Sequence, residues 1–141
     1  MWSELVEKRL KPFGHCIDVA DPAERERLHL SAREKVLRLE RLQYAASKVR
    51  IFERSVLPLQ RLRGIDIDRA QHLTLTEIAD QLGLRLGRAT ERLSIVAAPP
   101  SVAHVLTIAP TSELLQIDRV TMTVDGTPIE WRLAHMMQMS S

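Results

Sequence analysis

One pattern occurs twice in this chain. VLRLERL at residues 36–42 is matched by LLQIDRV at 114–120, and Leu28 precedes Arg41 by the interval at which Leu106 precedes Arg119. FER at 52–54 similarly resembles EWR at 130–132. Side chains on a strand alternate between faces with a period of two. Leu37, Leu39, Arg41 and Gln43 therefore share one face, and Arg38, Glu40, Leu42 and Tyr44 the other. After a polar break at Ala46-Ser47-Lys48, Val49, Ile51 and Glu53 share a face opposite Arg50, Phe52 and Arg54. Apolar stripes that end in convergent polar groups, here Arg41 and Gln43 facing Glu53, often line a pocket. The same charges equally suit the solvated rim of a hairpin, and the pattern alone favours the rim.

The remaining elements follow from caps and breakers. Residues 3–11 read as a short helix capped by Ser3, with Glu4 and Glu7 in its first turn and Lys8, Arg9 and Lys11 in its last. Pro12 and Gly14 end it, and residues 15–20 form a strand. Asp21-Pro22-Ala23-Glu24 supplies an N-cap, a proline at the first helical position and an acid at the third, opening a helix to Leu28 or Leu30. Beyond the 36–54 hairpin, residues 58–68 are a loop with short helical character. Thr74 or Thr76 caps a helix through Leu82 that Gly83 stops. A long strand at 86–97, a helix at 102–106 and a second hairpin, 114–124 with 127–135 around Asp125-Gly126, complete the chain. Helix, strand, helix, hairpin thus occurs twice. Neither copy can bury its apolar sheet face alone, so the two pair about an approximate two-fold. The expected fold class is α+β, a mostly antiparallel sheet with helices packed against it. Ligand sites in such folds favour clefts between the halves.

Composition excludes several functions. At 141 residues, 16.1 kDa and 45% hydrophobic residues, the chain suits one globular domain over residues 1–141. No apolar run approaches the roughly 20 residues of a membrane span, and Glu4, Glu7, Lys8 and Arg9 do not open a signal peptide. Cys16 is the only cysteine, so no internal disulfide forms and a cytoplasmic home is expected. The net charge of +2 comes from arginines scattered among acids, a mixed solvated surface rather than a stripe that tracks phosphates. His15, His29, His72, His104 and His135 have no partner spacing, so no metal, cofactor or catalytic set is expected. Residues 74–93 carry a weak helix-turn-helix pattern, Glu77-Ile78-Ala79 and Ala89 to Leu93 around Gly83. Against it, 85–88 lack small polar residues, and Ser94 to Ala97 continue as a strand.

Taken together, VLRLERLQY, IFERSVLPL, LTLTEIADQLGLRL, ATERLSIVAA and LLQIDRVTMTVDGTPIEWRL resemble, in order and spacing, the UTRA domain. This is the C-terminal effector-binding domain of GntR-type transcriptional regulators of the HutC subfamily. The resemblance implies a chorismate-lyase-like fold of two pseudo-symmetric halves that binds a small metabolite between them. It implies a homodimer, and DNA binding only through a winged-helix domain absent from this chain. It implies no catalysis, although a chorismate-lyase-like enzyme on the same fold is the rival reading. Carried over from relatives that bind phosphorylated sugars, the ligand-binding residues are Trp2, Ser3, Arg41, Gln43, Glu53, Thr74 and Glu130. Gln43 stands where those relatives carry a second arginine, which shifts the expected effector from a phosphosugar towards a carboxylate or other polar metabolite. The turn at 46–49 and His135-Met136 also depart from the family's pattern. Each carried-over residue has a structural alternative: Arg41 and Glu53 an ion pair, Thr74 a helix cap, Glu130 a surface charge. Arg119, the mate of Arg41, is expected to pair with Glu91 or Asp118.

Overall fold

The computed structural model describes residues 10–45 and 48–137. Its strands are β1 (Lys11–Val19), β2 (Lys35–Ala45), β3 (Lys48–Pro58), β4 (Leu86–Ala97), β5 (Glu113–Thr123) and β6 (Pro128–Met137). Its helices are α1 (Pro22–Leu28), α2 (Ile67–Ala70), α3 (Leu75–Leu82) and α4 (Pro100–Leu106), with a 3-10 turn at Leu59–Leu62. The strands form one antiparallel sheet in the order β1-β2-β3-β6-β5-β4. An α+β domain with a six-stranded antiparallel sheet is what the alternation and caps predict.

The local signals act as expected. Asp21 accepts from the backbone N–H of Glu24 while Glu24 accepts from that of Asp21, closing a capping box ahead of Pro22. Thr74 and Glu77 form the same box on α3, and Gly83 ends that helix at φ +67°. The first helix differs: Lys11, Pro12 and Gly14 are strand residues of β1, and residues 1–9 lie outside the described part. Pro12 and Gly14 are accommodated at an edge, where a register shift falls between them. The helix-turn-helix reading fails, because Ala89 to Leu93 lie in the middle of β4.

The sequence repeat is also a repeat of register. Arg41 stands opposite Glu53 in one hairpin, and Arg119 opposite Arg132 in the other. Both hairpins shift register at equivalent points, between Gln43 and Tyr44 and between Thr121 and Met122. Both hairpin-preceding helices end on a buried leucine, Leu28 or Leu106, followed by a left-handed residue, His29 (φ 56°) or Thr107 (φ 58°). Since Glu53 is registered with Ala134 and Ser55 with Arg132, the approximate two-fold passes through the Arg54–Leu133 pair. The register corrects the FER and EWR match by one residue: Phe52 corresponds to Trp131 and Glu53 to Arg132. It also corrects Val49. The shift near Gln43 turns Val49 to the face of Leu42 and Phe52, with which it packs, rather than to that of Ile51.

Each sheet face carries its own core. On one, Leu37, Leu39 and Leu57 pack with Ile129 beneath Leu75 and Ile78 of α3. On the other, α4 covers Leu42, Phe52 and Leu114, and α1 places Leu28 against Val36 and Val56. Burial of these side chains, at roughly 25 cal/mol per Å² of apolar surface, holds the helices to the sheet.

Candidate functional site

The face under α3 is apolar at one end and polar at the junction of the halves. Glu53, Ser55, Glu130, Arg132 and Arg41 are all buried there, and Glu53 and Ser55 are each only 1% exposed. A charge survives such burial only if it is paired and hydrogen-bonded. Ser55 Oγ donates to Glu130 Oε2 at 2.6 Å, and Arg132 Nη2 lies 3.1 Å from the Glu130 carboxylate. Arg132 Nε lies 3.6 Å from Glu53 Oε1, so this guanidinium bridges two acids from different strands. Glu53 and Arg132 are two-fold equivalents, so the ion pair is built from two corresponding positions that carry opposite charges.

Arg41 makes a different contact. Its Nη1 donates to the Leu73 carbonyl at 2.6 Å and its Nη2 to the Ala70 carbonyl at 3.3 Å. These acceptors belong to the segment joining α2 to α3, and the carbonyl of Ala70, the last residue of α2, also accepts from the Leu73 N–H at 3.1 Å. The guanidinium thus ties that segment to the sheet, and among the described residues its charge meets carbonyl dipoles rather than an acid. Arg41 Nε and Thr121 Oγ1 are buried with no hydrogen-bond partner among the described residues. Such groups are uncommon in folded proteins, and a bound molecule is one way to satisfy them.

The structure brings together four of the seven expected residues on this face: Arg41, Gln43, Glu53 and Glu130. Arg41 and Glu53 are cross-strand neighbours, and in place of the ion pair that was their structural alternative Arg41 contacts two carbonyls and Glu53 contacts Arg132. Glu130 is buried, not a surface charge. Gln43 is half-buried on the row next to Arg41 and Glu53. Thr74 adjoins Leu73, and its hydroxyl accepts from the Glu77 N–H at 3.1 Å, so it is a helix cap at the border of the cluster. Trp2 and Ser3 lie outside the described residues. Ser55, Thr121 and Arg132 were not foreseen. Period-two alternation from Glu53 and Glu130 points to Ser55 and Arg132, and Thr121 is the equivalent of Gln43.

The opposite face holds a second polar group. Asp118 accepts from Trp131 Nε1 at 2.9 Å and is paired with both terminal nitrogens of Arg27, whose guanidinium sits 5.1 Å from the Trp131 ring centroid. This corrects the expectation for Arg119: Asp118 points away from it and clamps α1 to the sheet. Glu91 stands opposite Arg119 in the register, with no ion pair between them among the described residues. An open cleft of about 440 Å³ beside this clamp is lined by Arg27, His29, Thr90, Arg92 and Met122. A third network fastens α1 elsewhere: Arg38 donates twice to Glu24, at 2.8 Å each. Burial alone would raise the Glu24 carboxyl's pKa. The Arg38 hydrogen bonds and charge, with the Asp21 N–H, outweigh it and hold the group below the usual glutamate range. Among the described residues no three His, Cys, Asp or Glu side chains gather as a metal site, and no helix is long and apolar enough to cross a membrane.

Comparison with known proteins agrees with this architecture. A GntR-family transcriptional regulator from Enterococcus faecalis V583 superposes with a TM-score of 0.84 over 94% of this chain and 98% of its own, at 18% identity. The C-terminal domain of Yurk from Bacillus subtilis subsp. subtilis str. 168 gives 0.81 over 89% and 87%, at 25% identity. The HTH-type transcriptional regulator Rv0792c of Mycobacterium tuberculosis is 38% identical over 55 residues, 39% of this chain and 20% of that protein. The chain therefore spans a small part of that curated relative. Residues 14–137 match the UTRA domain, and the chain belongs to that family of regulator domains, not to an enzyme family.

Proposed function

We propose that this chain is the effector-sensing domain of a cytoplasmic GntR-type regulator of the HutC subfamily. A small polar or anionic metabolite binds at the junction of the two halves, in a chorismate-lyase-like arrangement spanning residues 1–141. The observation that carries the reading is the buried Arg41–Glu53–Ser55–Glu130–Arg132 group, beside which Arg41 Nε and Thr121 Oγ1 have no hydrogen-bond partner among the described residues. Trp2, Ser3, Gln43 and Thr74 complete the proposed ligand shell. Among the described residues Arg41 forms no ion pair with an acid, and Arg132 is held between two carboxylates. With Gln43 in place of a second arginine, such a group suits one carboxylate better than a phosphate dianion. Binding alters the DNA affinity of a winged-helix domain, which makes the DNA contact, and the regulator is a homodimer through this domain.

The reading is tested by a thermal-shift screen of small carboxylates, sugars and sugar phosphates. A ligand at about 100 times its Kd adds about 2.7 kcal/mol of stability. Gln43→Ala and Glu130→Gln should each weaken a hit, as should Arg41→Ala wherever that variant folds. A hit whose affinity none of the three changes would move the site elsewhere.

A further inference from the structure

The two halves differ at one matching place, beside the outer strand on the face that carries α1 and α4. In the first half β1 pairs Lys11 with Leu42, Pro12 with Arg41 and Gly14 with Glu40, so Phe13 is an extra residue between pairs. Its ring meets that of Phe52 edge-on, with centroids 6.0 Å apart. In the second half the equivalents of Leu42, Arg41 and Glu40 are Val120, Arg119 and Asp118, which pair with Thr90, Glu91 and Arg92 in unbroken register. β4 therefore has no residue in the place of Phe13. What stands there instead is the open cleft of about 440 Å³ beside the Arg27–Asp118–Trp131 clamp.

We infer that this cleft is a second small-molecule site, separate from the junction proposed above, and that it takes an aromatic carboxylate. Its volume is that of a ligand pocket, and Val120, Met122 and Pro128 give it an apolar lining. A planar ring there takes the position that Phe13 holds in the other half, and the flexible thioether of Met122 adapts to an aromatic guest. The carboxylate is set by Arg92, a cross-strand neighbour of Asp118 that lines the cleft and forms no ion pair among the described residues. Arg27 is fixed by Asp118 and by the Trp131 ring, so it forms a wall of the cleft and not a second counter-ion. Two acids also line the cleft. The Asp118 carboxylate is engaged by Arg27 and Trp131 Nε1, and Glu26 is exposed, where solvent screens its charge.

Proton–nitrogen correlation NMR of the full chain, titrated with benzoate, tests the site. Benzoate should shift the backbone resonances of Thr90, Arg92, Val120 and Met122 saturably, with a Kd on the order of 1 mM. Acetate, which lacks the ring, and benzamide, which lacks the charge, should each bind there at least about tenfold more weakly. Arg92→Ala should weaken benzoate about tenfold, and Arg92→Lys should restore part of that affinity. Arg92 is exposed on an outer strand, so neither variant removes a buried contact. Benzoate shifts confined to residues around Arg41 and Glu130 would place the carboxylate at the junction of the halves and overturn the second site. Binding at the cleft that is as tight for benzamide, or as tight in Arg92→Ala, would overturn the carboxylate assignment. No saturable shift of the cleft residues at about ten times the expected Kd would overturn the site itself.

Discussion

The two hairpins share a frame but not a chemistry. Overlaid by register, Leu37 falls on Leu115, Leu39 on Ile117 and Phe52 on Trp131, so the positions that build the sheet keep their apolar character. The polar positions diverge. Arg41 is buried and donates to two carbonyls, whereas Arg119 is half-buried on a strand next to the edge. Glu53 falls on Arg132, and Gln43 on Thr121. A perfect repeat would place identical charges at the axis, where like charges repel. Divergence at this one equivalent pair turns repulsion into an ion pair and makes the centre of the domain asymmetric. An asymmetric ligand can then be held in one orientation.

The largest test of that comparison is at Glu53. Glu53→Ala deprives buried Arg132 of one of its two acids and should lower stability by about 3 kcal/mol or more in urea unfolding. Exchanging the pair, Glu53→Arg with Arg132→Glu, should recover little of the loss, because the new carboxylate at position 132 stands beside buried Glu130, which loses its guanidinium partner. Full recovery would mean that Glu130 does not depend on Arg132. Leu28→Ala and Leu106→Ala probe the shared frame. Each should cost about 2–5 kcal/mol, and a gap near the width of that range would mean that the helices are not anchored alike.

A smaller effect separates the two arginines. Arg41→Ala strands the Leu73 carbonyl and removes a second donor from that of Ala70, and should cost about 1–3 kcal/mol, whereas Arg119→Ala should stay within about 0.5 kcal/mol. Equal losses would erase the distinction. The least is a pH effect at His135, the equivalent of Val56. Burial lowers the pKa of this histidine beneath its ordinary value of 6.5, and its Nε2 lies 2.9 Å from Gln116 Oε1. The unfolded chain therefore takes up the proton first, so stability falls as pH drops below about 6.5 and levels once the folded group is also charged. Chemical denaturation between pH 8 and pH 5 should show that slope, and His135→Val should flatten it.

Much of the fold was legible because its signals are local. The Asp21 and Thr74 capping boxes, the Gly83 stop and the β4 span depend on residues within one turn or one strand of each other. Of the site, Arg41, Gln43, Glu53 and Glu130 could be placed on one face by alternation and resemblance. Their partners could not. Arg41 reaches Leu73 across a long stretch of chain, and Arg132 meets Glu53 across a strand pairing that no local pattern specifies. Val49 was misplaced for a similar reason: one extra residue in a strand reverses every side chain beyond it, and composition does not mark the bulge.

The sequence by itself determined most of the elements from Asp21 onwards, their repetition, and most of the apolar hairpin positions. These follow from backbone preferences and from a period of two that neighbouring residues enforce. Only the tertiary structure decided that Glu53 and Arg132 are equivalents paired at an axis, that Arg41 braces the α2–α3 segment, and that Asp118 holds Arg27 and Trp131 on the other face. Those are choices among long-range partners. They are settled when two halves dock and every buried charge must find a counter-charge or a dipole.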